Sequence, residues 1–147
     1  MNDQLLTRVQ VEIEGLHEFF VGWFSGRVDE SMFEQGFSVR FDPECLLIPP
    51  ARVILNMGQF AAAIRDNHDT NPEFRIAIRN VTVRRVFADK VVATYEEWQR
   101  CARASKPPEN GRLATVLLED QGSRLKWLHI HETWLPEDVQ RAGPYDF

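Results

Sequence analysis

Cysteine is scarce in this chain. Cys45 and Cys101 are its only two among 147 residues, and their separation matches no metal or redox spacing. A disulfide scaffold is therefore excluded, and the expectation is two reduced, inert thiols. No apolar run approaches the ~20 residues that a bilayer span requires, so no membrane role is expected. Met1-Asn2-Asp3-Gln4 lacks the basic start and apolar core of a signal peptide, and a cytoplasmic protein is the expectation. Basic surplus is also missing. The net charge is −5, and Arg84-Arg85 is the only adjacent basic pair, so no nucleic-acid surface is expected. The chain has no nucleophile elbow, no phosphate-binding glycine loop and no nucleotide fingerprint. It also has no internal repeat and no low-complexity tract.

What remains is ordinary globular material, 44% apolar and 27% charged, long enough for one domain with its own core. Leu6, Val9, Ile13, Leu16, Phe20 and Trp23 recur at spacings of three and four. They predict one amphipathic helix over about 4–25, stopped near Gly26. Asp29-Glu30-Ser31 opens a second, shorter helix carrying Met32, Phe33 and Phe37. Cys45–Ile48 and Arg52–Leu55 flank Pro49-Pro50 as a small pair of strands. Asn56 with Gln59 makes a capping box for a third helix, with Met57, Phe60, Ala61, Ile64 and His68 on its inner face.

Long strands follow. Phe74, Ile76 and Ile78 alternate, then the parity flips to Val81 and Val83, which predicts a β-bulge near Arg79-Asn80. Ala88-Asp89-Lys90 is a turn into a strand over 91–101. Asn110-Gly111 ends the next connection, before strands over 113–119 and 125–134. The expected architecture is a single α+β domain over 1–147. A curved antiparallel sheet wraps over the long N-terminal helix and two shorter helices, leaving a cone-shaped pocket. Residues 136–147 read as a loose tail.

The long helix (Val11 to Phe24), the turn at Ile48-Pro49-Pro50, the helix start at Met57-Gly58-Gln59-Phe60 and the closing Trp-Leu-His-Ile-His-Glu-Thr resemble the nuclear transport factor 2-like superfamily. This superfamily is also called cystatin-like or SnoaL-like. The last strand is most similar to small uncharacterised bacterial members and to the association domain of calcium/calmodulin-dependent kinase II. The resemblance implies either an enzyme or an oligomerising module, since the superfamily holds isomerases, dehydratases, epoxide hydrolases, cyclases and non-enzymes. It departs from the individual enzyme patterns. The first helix carries no tyrosine, its titratable inner candidate is His17, and the comparable inner positions carry Tyr95 and Glu97 on one strand and Glu132 on the last, without a matching arginine on that last strand.

Period-two geometry puts Tyr95, Glu97 and Gln99 on one strand face. On the last strand it puts Leu128, Ile130, Glu132 and Trp134 on one face, and Trp127, His129, His131 and Thr133 on the other. Two carboxylates in one dry pocket raise one pKa and supply an acid and a base near neutrality. The resemblance to the kinase association domain implies that the Glu97 face looks into the cone, which makes Glu132 and Glu97 the acid–base candidates, with Tyr95 as a hydrogen-bond donor. The alternative is that an arginine such as Arg52, Arg79 or Arg112 neutralises each glutamate, or that each simply reaches solvent. Trp134, Phe20, Trp23, Phe60, His68 and His17 are expected to line the ligand site. In the superfamily that the chain resembles, the outer face commonly builds a dimer interface, which implies Trp127, His129 and His131 at a homodimer interface. The two strand histidines lack a third ligand, so no metal is expected, and no organic cofactor either. The implied partner is a small apolar molecule bearing a carbonyl or hydroxyl; the competing role is self-association or protein binding around a vestigial pocket.

Overall fold

The computed structural model describes residues 3–147. Helix α1 (Asp3–Phe24) buries Val9, Ile13, Leu16, Phe19 and Trp23 and leaves Val11 exposed, as an amphipathic stripe requires. It ends where Gly26 takes φ +78°, a conformation that side-chain-bearing residues rarely adopt. Asp29 caps a short 3₁₀ turn by accepting from the Ser31 amide at 3.0 Å, and α2 (Phe33–Gly36) follows directly. The capping box expected at Asn56 and Gln59 is present at the start of α3 (Met57–Arg65), with both reciprocal bonds at 2.9 Å.

Strands β1 (Phe41–Ile48), β2 (Arg75–Phe87), β3 (Lys90–Arg100), β4 (Asn110–Asp120) and β5 (Leu125–Trp134) form one curved sheet in the order β1-β5-β4-β3-β2. β2 to β5 are an antiparallel meander. The small strand pair expected at 45–55 is corrected. β1 joins the main sheet as a parallel edge beside β5, and the second half of that pair is reduced to one bridge, Leu47 to Leu55. The β2 bulge falls where the parity flip placed it, between Arg79 and Thr82, with Asn80 at φ 56°. Helix α1 packs across β2 on the concave side of the sheet. Aromatic rings fill the closed end, with Phe37 centred 4.7 Å from Phe41 and 5.1 Å from Phe60. A Cβ on Gly36 would run into the Phe19 ring, so this crossing requires glycine.

Strand β5 differs from the alternation read in its sequence. Leu118 pairs with Trp127 and Leu117 with His129, so Leu128 is an extra residue on β5. This bulge turns Trp127 to the same side as Ile130 and Glu132. Trp127 is completely buried, packs 5.9 Å from Phe41 and donates its indole N–H to Glu12 Oε2 at 2.8 Å. Its expected place at a dimer interface is therefore corrected. His129 stays half-buried and His131 exposed on the outer face. The segment after Pro136, expected to be loose, forms α4 (Glu137–Ala142). Beyond it Tyr145 packs 5.6 Å from Trp98, and its hydroxyl donates to the Gln140 carbonyl.

Trp127→Ala should destabilise the fold by about 3–5 kcal/mol, because it opens a large core cavity and strips Glu12 of a donor. Trp127→Phe should cost less, because a ring still fills most of the space and only the N–H and part of the indole volume are lost. Chemical denaturation of the two variants measures the difference, and a Trp127→Ala cost below ~1 kcal/mol would place the indole outside the core.

Candidate functional site

Between α1, α3 and the concave face of the sheet lies a cavity of about 480 Å³. Its wall is mostly apolar and includes Phe20, Phe24, Phe60, Ile64, Phe74 and Ile130. Asn67, Thr70, Arg103 and Ser105, from the loops after α3 and β3, form a polar part of the lining, where Thr70 and Arg103 are solvent-exposed. The deep polar groups are His17 from α1, Tyr95, Glu97 and Gln99 from β3, Arg112 from β4 and Glu132 from β5. Alternate positions of β3 face the same way, which brings Tyr95, Glu97 and Gln99 to one wall.

The hydrogen bonds among these groups run in one consistent direction. His17 Nδ1 lies 2.7 Å from the Ile13 carbonyl, which can only accept, so Nδ1 carries a proton. His17 Nε2 faces Glu97 Oε1 at 3.1 Å, and that contact needs a proton too. Glu97 Oε2 accepts from Gln99 Nε2 at 2.6 Å. Gln99 Oε1 then accepts from Asn110 Nδ2 at 3.3 Å and from Arg112 Nη2 at 3.2 Å. Asn110 Nδ2 also donates to the Pro107 carbonyl, which fixes that amide, and Asn110 Oδ1 accepts from Arg112 Nη2 at 3.3 Å. Arg112 Nη1 donates to Glu132 Oε1 at 3.2 Å. Glu132 Oε2 makes no hydrogen bond to protein among the described residues.

The two carboxylates are driven apart. Burial pushes Glu97 up, but the charge and hydrogen bond of His17, the Arg112 charge and the Gln99 bond outweigh it and bring it to about 2. Burial pushes Glu132 up as well, and the Glu97 charge adds to it. Arg112 and His17 oppose this only in part, and Glu132 stands at about 7. For His17, burial favours the neutral ring, yet the charge and hydrogen bond of Glu97, the separate hydrogen bond to the Ile13 carbonyl and the Glu132 charge raise its pKa. The resting state near neutrality is thus an imidazolium, an ionised Glu97, a charged Arg112 and a Glu132 that is part protonated. Burial and the two glutamates hold the Tyr95 phenol well above its ordinary value, so it remains a neutral donor.

Of the residues singled out from sequence, Glu97, Glu132, Tyr95, His17, Phe20 and Phe60 line this cavity. Trp23, His68 and Trp134 do not, and their expected place in the wall is corrected. Trp23 points among the helices and donates to the Ile64 carbonyl at 2.7 Å, with His68 centred 4.3 Å away. His68 donates Nε2–H to the Val28 carbonyl at 2.8 Å. Trp134, at the frayed end of β5, lies 5.0 Å from the Arg112 guanidinium and is 39% exposed. Asn110 was not foreseen as a site residue, and Arg112 was foreseen only as one possible neutralising partner. β4 begins at Asn110, three residues before the strand read from sequence, so both residues lie on its first turns of the ladder opposite Glu97 and Gln99. Among the described residues no cluster of three or more His, Cys, Asp or Glu could hold a metal, and no helix is long and apolar enough to cross a membrane.

No family model and no curated protein matches this chain. Solved structures do. An NTF2-like protein of unknown function from Pseudomonas aeruginosa is 25% identical, with a TM-score of 0.77 over 88% of this chain and 99% of its own. A candidate dehydratase of the NTF2-like family from Streptomyces avermitilis is 14% identical, with a TM-score of 0.69 over 91% and 98%. The hub domain of calcium/calmodulin-dependent kinase II from S. rosetta is 14% identical, with a TM-score of 0.60 over 84% and 95%. The resemblance read from the sequence is thereby shown at the level of fold.

The shifts have a consequence for stability. Glu132 is raised in the fold, so the folded state holds a proton that the unfolded chain has released above about pH 4.5, and stability falls as pH rises through about 7. His17 is also raised, so its contribution is complete below the unfolded value and is lost as pH rises through the folded one. Glu97 acts oppositely, and its contribution is lost only as pH falls through about 2. Thermal unfolding should therefore show falling stability between pH 5 and 8. Glu132→Gln should remove much of that fall, on the order of 3 kcal/mol. An identical slope in the variant would show that Glu132 titrates normally.

Proposed function

We propose that this chain, which has the NTF2-like fold, binds a small, largely apolar molecule in its cavity and moves a proton on a carbonyl or hydroxyl of it. The observation that carries this reading is the unequal pair of buried glutamates on either side of Arg112 in the wall of one apolar cavity. Glu132 is the acid–base group, because its free oxygen borders the cavity and its pKa lies near neutral pH. Glu97 holds a fixed negative charge that keeps Glu132 basic, and His17 keeps Glu97 ionised. Tyr95 is the donor that would face a developing oxyanion, since its hydroxyl has no hydrogen-bond partner among the described residues. Isomerisation, dehydration and hydrolysis by an activated water all use this set of groups. The candidate dehydratase among the structural neighbours is compatible with the reading. No metal or organic cofactor enters this proposal, and a cytoplasmic setting suits the two free thiols.

Carboxyl-carbon NMR should find Glu132 titrating near pH 7, and the midpoint should drop in Glu97→Gln, where the neighbouring charge is gone. A Glu132 midpoint below about 5 in the parent protein would remove the acid–base assignment.

A second reading, self-association, draws on the outer face of the sheet. There Leu113 is 39% exposed, and Thr115, His131 and Thr133 surround it in register without a covering element. This stripe suits a homodimer. Sedimentation at micromolar concentration should give a dimer, and Leu113→Glu should shift it to monomer. A parent protein that sediments as a monomer would end this reading.

A further inference from the structure

The cavity's charges do not match those of a site for neutral molecules. His17, Arg112 and Arg103 contribute three cationic groups to the lining, and Glu97 and Glu132 are its only acids. Glu97 is fully engaged by His17 and Gln99. The Arg112 guanidinium has a single anionic partner, Glu132, through Nη1. Its Nη2 is held by the neutral amides of Gln99 and Asn110. Its Nε–H is the one buried side-chain polar atom without a hydrogen-bond partner among the described residues. Arg103 is exposed, and its Nη1 bonds only the Thr70 carbonyl.

The arithmetic follows from these pairings. With Glu132 ionised, His17, Glu97, Arg112 and Glu132 sum to zero. With Glu132 protonated they sum to plus one, Arg112 loses its counter-charge, and a carboxylic acid O–H stands beside it. An anion entering this apolar space would meet a cation and a donor together. The groups facing Glu132 are Arg112 from β4, Glu97 and Tyr95 from β3 and His17 from α1, and of these only Arg112 contacts it directly.

We propose that the ligand class is a small monocarboxylate with an apolar body, and that its binding draws one proton onto Glu132 so that Arg112 exchanges an internal carboxylate for the ligand's. This rests on the reading of the cavity as a small-molecule site and names what that site takes. The carboxylate is held between Arg112 and the Glu132 O–H, the apolar body lies against Phe20, Phe60 and Phe74, and Arg103 attracts the anion at the exposed part of the lining. The standing of Glu132 near neutrality makes the proton uptake inexpensive at cellular pH.

Titration calorimetry with 4-phenylbutyrate and the neutral 4-phenylbutan-1-ol, in buffers of different ionisation enthalpy, tests this. At pH 8 phenylbutyrate should take up about one proton on binding, and its affinity should be about tenfold weaker than at pH 6. The alcohol should show neither effect. In Glu132→Gln the carboxylate should bind independently of pH, near its pH 6 affinity, and in Arg112→Met it should lose at least tenfold while the alcohol does not. Equal, pH-independent binding of both probes would overturn the carboxylate inference and leave the cavity reading standing. Binding of the alcohol alone would do the same. Failure of both probes to bind would overturn both.

Discussion

The site depends on one buried contact, the imidazolium of His17 against the carboxylate of Glu97. Both side chains are almost fully buried, and each alone would be costly to ionise there. Together they tie the middle of α1 to the concave face of β3. They also set the charge that every other group in the cavity responds to. Take away the proton on His17 and Glu97 loses its main support, and Glu132, raised first by burial, loses the neighbouring charge that adds to the rise. The ion pair is therefore an electrostatic fixture. The titrating work is left to the second glutamate, which has only one bond to protein.

The Ile13 carbonyl matters more to this arrangement than its distance from the cavity suggests. By accepting from Nδ1 it holds a proton there and removes the neutral tautomer in which only Nε2 is protonated, so the ring donates to Glu97 only as the imidazolium. Gln99 and Asn110 extend the same logic. Each amide is oriented by a partner that can only donate or only accept, and the chain ends at a guanidinium. A cavity that holds four charged or chargeable groups keeps its order because, among the described residues, Arg112 Nε is the one fully buried side-chain polar atom without a partner, and the unpartnered Glu132 Oε2 is not fully buried.

Much of this was legible in the residues themselves. The stripe of α1, the capping box at Asn56 and Gln59, the β2 bulge at Asn80 and the shared face of Tyr95, Glu97 and Gln99 all follow from periodicity and local capping, which depend on nearby positions. That this last face looks inward is implied by the family resemblance. What periodicity missed depended on pairing between distant strands. The bulge at Leu128 carries no turn residue, and both parities of β5 place bulky side chains inside, so alternation alone assigned Trp127 to the wrong face. Asn110 belongs to, and Arg112 directly follows, an Asn-Gly pair that reads as a turn. Only the ladder with β3, which sets Arg112 opposite Glu97 and Asn110 opposite Gln99, shows that the strand has already begun.

That register explains how an arginine from β4 comes to serve the carboxylates of β3 and β5. In an antiparallel pair, directly opposed residues share a face, so Arg112 must look the same way as Glu97. Across the next pairing Ala114 stands opposite Glu132, which places Arg112 one step diagonal from that carboxylate and within reach of it. An alanine at that central position leaves room between the two acids, and a long guanidinium fills the space from the neighbouring position. A larger residue at 114 would crowd the carboxylates without supplying a cation. The charge balance of the cavity is thus a property of three strands in register, and the bulge at Leu128 brings Trp127 into line with Glu132 on the inner face. Core packing at Trp127 and chemistry at Glu132 are set by the same extra residue, so neither face of β5 can be shifted without moving the other.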